Sequence, residues 1–495
     1  MGNYRYEASY NSAGYKDVVG QYPPVFYHLG TIFSYLTGLE TYDSAYLMVF
    51  LIIIAFVMVF YTIIRKFSRT IAILSIPLSI LVFSSPEGII GPYAGITWGN
   101  WPTYLGHLFL ISLFWALYNM DLNKSWSLLG LFIAAITISH TSELVFGLMF
   151  IFIYFAVMLF KRKAFPLFRK LAYSAILSII LSAYYLVIFK FGWGVQQGYK
   201  FSFQTTRAAT PLYFMHNFGI ILIFMGIGLA YFLLTPKKRA FPLYVSLFMF
   251  LIGLGNYYGF QRHAWRVRTL WPLYLSVFMG YGIYLLISLL AKNIKKRFLF
   301  SIGIALIFLS VFSFAKVPFI PHYQKLSTPG MMDNLHWNVL QWLRYNTEED
   351  AKVYFFYGDI YGQDALLRNT HRTQFLVDPG DFIESLKNRS IRRYYKAELP
   401  GDSGAGYPYR KSFFEFGSHW TEEVIPKTKP RDICIMDYYV FDKASREPVL
   451  VEYNFLIMNE LLKKDFIEIV HESQIAFILK NNKPGDDCIE ERSFS

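Results

Sequence analysis

Apolar stretches of bilayer-spanning length recur through the first two thirds of this chain, separated by short basic loops. That feature leaves few folds open. A run of about twenty apolar residues in a bilayer must close its backbone hydrogen bonds within itself, which makes it a helix. Helices are expected at 45–64, 70–85, 101–118, 126–139, 142–160, 171–190, 212–234, 240–255, 270–290 and 298–316. Those at 70–85, 126–139 and 240–255 are short, as tilted or broken helices buried in a bundle would be. The composition agrees: only 16% of residues are charged and 19% are aromatic, with a mean hydropathy of +0.33. The net charge of +13 sits mostly in the loops, a membrane pattern rather than a nucleic-acid footprint, so nucleic acid is not an expected partner.

The loop charges give an order to the helices. Arg65, Lys66 and Arg69 share one loop, and Lys124 lies in the next basic one. Lys161, Arg162, Lys163, Arg169 and Lys170 follow, then Lys237, Lys238 and Arg239, then Lys292, Lys295, Lys296 and Arg297. With these on the cytoplasmic side, the loops 86–100, 140–141, 191–211 and 256–269 face outward, as does everything after 317. The expected fold class is a polytopic α-helical membrane protein with a C-terminal soluble α/β domain. It divides into an outer N-terminal segment, 1–44, a transmembrane helical domain, 45–316, and an extracytoplasmic α/β domain, 317–495. The expected location is the cell membrane, in contact with membrane lipids. The segment 1–22 is polar and aromatic with no targeting run, so a further transmembrane helix is expected upstream of Met1.

Beyond 317 the pattern changes. An amphipathic helix is expected over 334–345, strands over 352–357, 433–439, 466–470 and 475–479, and helices near 379–387 and 453–464. The Gly- and Pro-rich stretch 398–410 reads as a loop. Cys434 and Cys488 are the two cysteines, equally compatible with one disulfide or two thiols.

Four groups of residues could carry chemistry. The outer N-terminal segment holds Glu7 and Asp17, then Tyr22, Pro23, Pro24, Tyr27 and His28; Pro24 suits the first turn of a helix. The plain alternative is an aromatic interfacial helix with solvated acids. The loop carrying Glu87 and Trp98 leads into a helix with Trp101, Tyr104 and His107. Its tryptophans could be simple interface anchors, but His107 lies one turn inside. His140 and Glu143 mark a polar break between two apolar runs, where an ionisable residue is a functional candidate and a tight-turn cap is the plain alternative. Arg262, His263, Arg266 and Arg268 make an outward loop basic against the general rule. Lys200 and Arg207 in the preceding outward loop could join them. A bound anion accounts for this cluster economically, because guanidinium forks suit phosphate; contact with anionic headgroups is the alternative. P-loop, dinucleotide and HExxH motifs are missing from the sequence, and the histidines lack metal-site spacing. Asp17 or Glu87 could still share a divalent cation, Mg or Mn, with a substrate phosphate.

The acidic outer segment leads into Tyr22, Pro23 and Pro24, and a helix opens on Trp98, Gly99, Asn100, Trp101 and Pro102. A break follows at His140, then a basic segment entering Arg268, Thr269, Leu270, Trp271 and Pro272, then an outer domain starting near 338–351. Taken together this resembles the GT-C superfamily of membrane glycosyltransferases, on the side of the archaeal and bacterial oligosaccharyltransferases and protein mannosyltransferases. The resemblance implies transfer of a sugar or oligosaccharide from a polyprenyl-phosphate-linked donor to an acceptor on the outer face. It also implies an acidic catalytic residue in the first outer loop, for which Glu7 and Asp17 are the candidates here, with His140 beside them. A transporter or flippase would share buried polar residues but should show inverted repeats. A non-catalytic membrane scaffold or assembly protein of the cell envelope would need only the outer domain as a partner surface.

Overall fold

The computed structural model describes residues 25–39, 41–81, 91–92, 96, 100–120, 125–160, 164–192, 211–235, 240–259, 261–291, 293–312, 334–356, 358, 370–398, 428–444 and 448–493. The chain divides into two compact units, one helical and one built on a sheet.

The helical unit contains α1 (Val25–Thr37), α2 (Thr41–Phe67), α3 (Arg69–Leu81), α4 (Trp101–Tyr118), α5 (Ser125–Ser139), α6 (Thr141–Phe160) and α7 (Ala164–Gly192). It continues with α8 (Pro211–Phe218), α9 (Ile221–Leu234), α10 (Phe241–Gly253), α11 (Gln261–Arg268), α12 (Trp271–Leu290) and α13 (Ile294–Phe312). Among the described residues four stretches are long and apolar enough to cross a membrane: Asp43–Phe67, Ser142–Phe160, Pro166–Ala183 and Trp271–Leu290. The chain is a membrane protein on that ground. Arg69–Ser79, Ser125–Ser139, Ile221–Leu234 and Phe241–Gly253 are shorter apolar helices; the first, second and fourth match the short runs in the sequence.

Local chemistry sets the helix starts. α4, α10 and α12 each open on an aromatic residue followed by proline: Trp101 and Pro102, Phe241 and Pro242, Trp271 and Pro272. Proline suits the first turn because its missing N–H needs no partner there and its φ is already helical. Pro24 similarly precedes α1, which lies inside the segment assigned from sequence to an outer tail ending at 44, and α2 begins earlier than expected. The single helix expected at 212–234 is instead two, α8 and α9. Gly219 sits between them at φ +54°, a conformation that ends a helix and that glycine adopts without strain. Further on, α9 and α12 approach so closely that a Cβ on Gly228 would overlap the Phe278 carbonyl, and one on Gly282 the Phe224 carbonyl. Small residues allow such backbone contact where burial from water gives no drive for helices to associate.

The second unit holds a seven-stranded sheet in the order β5-β4-β2-β1-β6-β8-β7. The strands are β1 (Lys352–Phe355), β2 (Thr373–Val377), β4 (Tyr394–Glu398), β5 (Thr428–Asp432), β6 (Tyr438–Asp442), β7 (Ile467–Glu472) and β8 (Ala476–Asn481). β2, β1 and β6 run parallel; the other pairs are antiparallel. A small separate sheet pairs β3 (Ser390–Ile391) with β9 (Arg492–Ser493). Alternation along β1 sorts two cores. Val353 and Phe355 pack with Val339, Leu340 and Leu343 of α14 (Asn334–Asn346). Tyr354 and Phe356 face Phe382 of α15 (Pro379–Lys387) and Leu450, Tyr453 and Ile457 of α16 (Pro448–Leu461).

The strand expected at 433–439 is corrected. Ile433–Ile435 forms a 3-10 turn capped by the Asp432 carboxylate on the Cys434 N–H, and β6 starts only at Tyr438. Cys434 is joined to Cys488 in a buried disulfide.

Candidate functional site

The α5–α6 junction is a single residue, His140, with Glu143 in the first turn of α6. Both are buried, and the His140 Nδ1–H donates to Glu143 Oε2. His107 on α4 places Nε2 3.3 Å from Glu143 Oε1. One carboxylate therefore meets two imidazoles, one on each oxygen. The other His107 nitrogen, Nδ1, lies 3.0 Å from the Tyr274 hydroxyl of α12.

The basic segment becomes α11, whose Ala264 and Val267 are buried. Its C-terminal end is pinned. Thr269 Oγ1 donates to the Arg266 carbonyl, and Arg268 Nε donates to the Gly253 carbonyl at 2.8 Å. Arg268 also donates to Asn256 Oδ1 and packs on the rings of Tyr213 and Trp271. Held this way, α11 brings Arg266 Nη1 to 3.1 Å from His140 Nε2, with Thr103 Oγ1 3.5 Å from the same nitrogen.

These contacts order the protons. A guanidinium only donates, so His140 Nε2 accepts and its proton resides on Nδ1, pointing at Glu143. If His107 presents N–H to Glu143, its Nδ1 accepts from Tyr274. A neutral imidazole thus bridges one cation, Arg266, and one anion, Glu143. Glu143 is buried and Arg266 half-buried, and the hydrogen bonds of His140 to both link the two charges, while His107 Nε2 faces Glu143 Oε1 at 3.3 Å. Phe56 and Phe60 close over Tyr274 edge to face and keep that end apolar.

Of the residues singled out from sequence, His107, His140, Glu143 and Arg266 come together. Tyr104, one turn before His107 on α4, is buried with its hydroxyl donating to the Pro92 carbonyl at 2.8 Å. Arg268 is turned into the bundle as described, and His28 lies on α1, exposed. Arg262 and His263 belong to α11, but their side chains fall outside the described part. Glu7, Asp17, Tyr22, Glu87, Trp98, Lys200 and Arg207 lie outside the described residues altogether. Tyr274 and Thr103 were not singled out. A tyrosine in an apolar helix whose hydroxyl must find a partner was the available signal. Among the described residues no group of three or more His, Cys, Asp or Glu side chains is arranged to hold a metal ion. No family model matches this chain, and no curated protein matches it.

Proposed function

We propose that the chain is a membrane glycosyltransferase of the GT-C type. It moves a sugar or oligosaccharide from a polyprenyl-phosphate-linked donor to an acceptor on the extracytoplasmic face. The observation that carries this reading is the meeting of Arg266 with His140 and Glu143: a guanidinium donor beside a base oriented by a carboxylate. In the reaction an acceptor oxygen bonds to the anomeric carbon while the bond from that carbon to the phosphate oxygen breaks. The phosphate leaves with the electron pair, and Arg266 of α11 stabilises the charge that grows on it. The acceptor proton passes to a base, either His140 or a carboxylate of the N-terminal segment, Asp17 or Glu7. A divalent ion at Asp17 or Glu87 would add a second counter-charge to the phosphate. The loop charges support an outward placement of the second unit. Its disulfide supports that placement, since such bonds persist in oxidising compartments.

The test is turnover of a radiolabelled polyprenyl-phosphate sugar by protein in native membrane extract. Release of free polyprenyl phosphate, lost in Arg266→Ala, is the expected result. No release by either protein with any donor sugar tried would count against the reading.

A further inference from the structure

The sequence holds two Asn-Xaa-Ser triplets, Asn123–Lys124–Ser125 and Asn388–Arg389–Ser390. With any residue but proline in the middle, this triplet is the acceptor signal for an N-linked glycan, read in surface segments outside the cytoplasm. The loop charges separate the two. Asn123 falls in the loop of Lys124, on the cytoplasmic side, whereas Asn388 belongs to the second unit, on the outward side.

Asn388 follows α15 at the turn into β3. Its backbone is committed: its N–H donates to the Glu384 carbonyl at 2.9 Å, and that of Arg389 donates to the Leu386 carbonyl at 3.0 Å. Its side chain is not. Asn388 is exposed between exposed Lys387 and Arg389, and among the described residues its carboxamide has no hydrogen-bond partner. An asparagine at a helix end commonly serves the backbone, because it tolerates the left-handed conformation that stops the helix. Here that conformation falls one position later: Arg389 has φ +47°, and Asn388 has φ −80°. The turn therefore places an arginine where glycine or asparagine would be easier, and gives the asparagine beside it no structural task. Ser390 supplies the hydroxyl two positions on, fixed by the Arg392 Nε–H, which donates to it at 3.3 Å.

We propose that Asn388 is an acceptor site for an N-linked glycan. The co-reactant is a sugar or oligosaccharide carried on a lipid phosphate, delivered by a transferase on the outward side. The Asn388 carboxamide nitrogen bonds to the anomeric carbon as the bond from that carbon to the phosphate oxygen breaks. The phosphate leaves with the electron pair, and one amide proton passes to a base of the transferase. Three consecutive exposed residues, 387–389, leave room for the bulky group. This inference goes beyond the reaction proposed above and needs only the outward placement of the second unit.

Mass spectrometry of intact glycopeptides reads the site directly. Full-length protein purified from its native membranes is digested with two proteases of different specificity, and electron-transfer fragmentation locates any added mass. The peptide bearing Asn388 should carry the mass of one or more sugar residues on that side chain, and the peptide bearing Asn123 should carry none. Asn388→Gln and Ser390→Ala, expressed in the same cells, should each abolish the added mass, while Ser390→Thr, which keeps the hydroxyl, should retain it. Asn388→Gln changes an exposed, unbonded side chain, so elution as monodisperse as wild type is expected, and Ser390→Thr guards against loss through misfolding at β3. An Asn388 peptide without added mass in the wild-type protein would overturn the site. It would leave the proposed transfer by this chain standing, because that reaction requires no glycan at Asn388. Added mass that persists in Asn388→Gln or in Ser390→Ala would also overturn it. Sugar on Asn123 in place of Asn388 would overturn both the site and the sidedness on which it rests.

Discussion

Gly106 lies so close to Glu143 that a Cβ added to it would sit 2.9 Å from Glu143 Oε2 and equally near the Cβ of His140. α4 can therefore approach the α5–α6 junction only with hydrogen at that position. Gly106→Ala should force the carboxylate or the junction to shift and cost about 1–3 kcal/mol, as overpacking does. Thermal unfolding in detergent measures it. A variant as stable as wild type would mean that the junction yields freely.

Glu143 accepts from His140 and lies 3.3 Å from His107 Nε2, so its replacement should be felt at both. In Glu143→Gln the amide nitrogen must face an N–H on one side, leaving a buried donor without an acceptor at a cost of about 1–3 kcal/mol. Unfolding of Glu143→Gln and of Glu143→Gln with His107→Phe should not be additive, because removing His107 removes one of the stranded donors. Strict additivity would show that the two side chains do not interact.

In the second unit, the buried Cys434–Cys488 bond closes a loop of 54 positions. Reduction should destabilise this unit by about 4 kcal/mol on loop entropy. Pulse proteolysis in urea with and without dithiothreitol reads the shift of the midpoint; an unchanged midpoint would assign the bond no structural role.

Glu348 gives the same unit a pH dependence. Its carboxyl is held below the ordinary value of 4.5, by its backbone hydrogen bond first and then by the hydroxyl of Tyr438 and the ammonium of Lys480, against a smaller opposing effect of burial. A carboxylate with a lowered native value stabilises the fold above its unfolded value. That contribution is lost as pH falls through the native one. Glu348→Gln should therefore lower stability near neutral pH and flatten its fall below pH 4.5. Urea midpoints across that range, parallel in variant and wild type, would remove Glu348 from the account.

What the sequence made legible was local. Trp271 and Pro272 mark a helix start because proline fits the first turn, and His140 marks a break because polar residues interrupt an apolar run. The strand expected at 352–357 and the helix expected at 334–345 follow from their periodicities, and the structure has them at Lys352–Phe355 and Asn334–Asn346. Hidden were the contacts that join distant segments: Arg266 to His140 across 126 positions and Tyr274 to His107 across 167. No periodicity encodes those. Arg268 resembled its neighbour Arg266 in sequence, yet the carbonyl of Gly253 and the side chain of Asn256 turn it inward. The bend at Gly219 was invisible because a glycine within an apolar run is compatible with an unbroken helix until its φ is known.

Sidedness rests on the loop charges, and cysteine-accessibility labelling tests it. A cysteine placed near Lys295 should resist an impermeant maleimide in intact cells and react after lysis. Labelling in intact cells would reverse the topology and put the second unit on the wrong side for an extracytoplasmic transfer.

The central claim is that Arg266 serves a phosphate, and direct binding addresses it. Wild type and Arg266→Met in nanodiscs are titrated with a polyprenyl-phosphate sugar, with the neutral prenyl alcohol as control. The loss of one charge-assisted interaction worth about 1.5–3 kcal/mol should weaken donor binding roughly ten- to a hundred-fold and leave the alcohol unaffected. Equal affinity of both proteins for the donor, or equal binding of donor and alcohol by wild type, would contradict the account and favour a membrane scaffold.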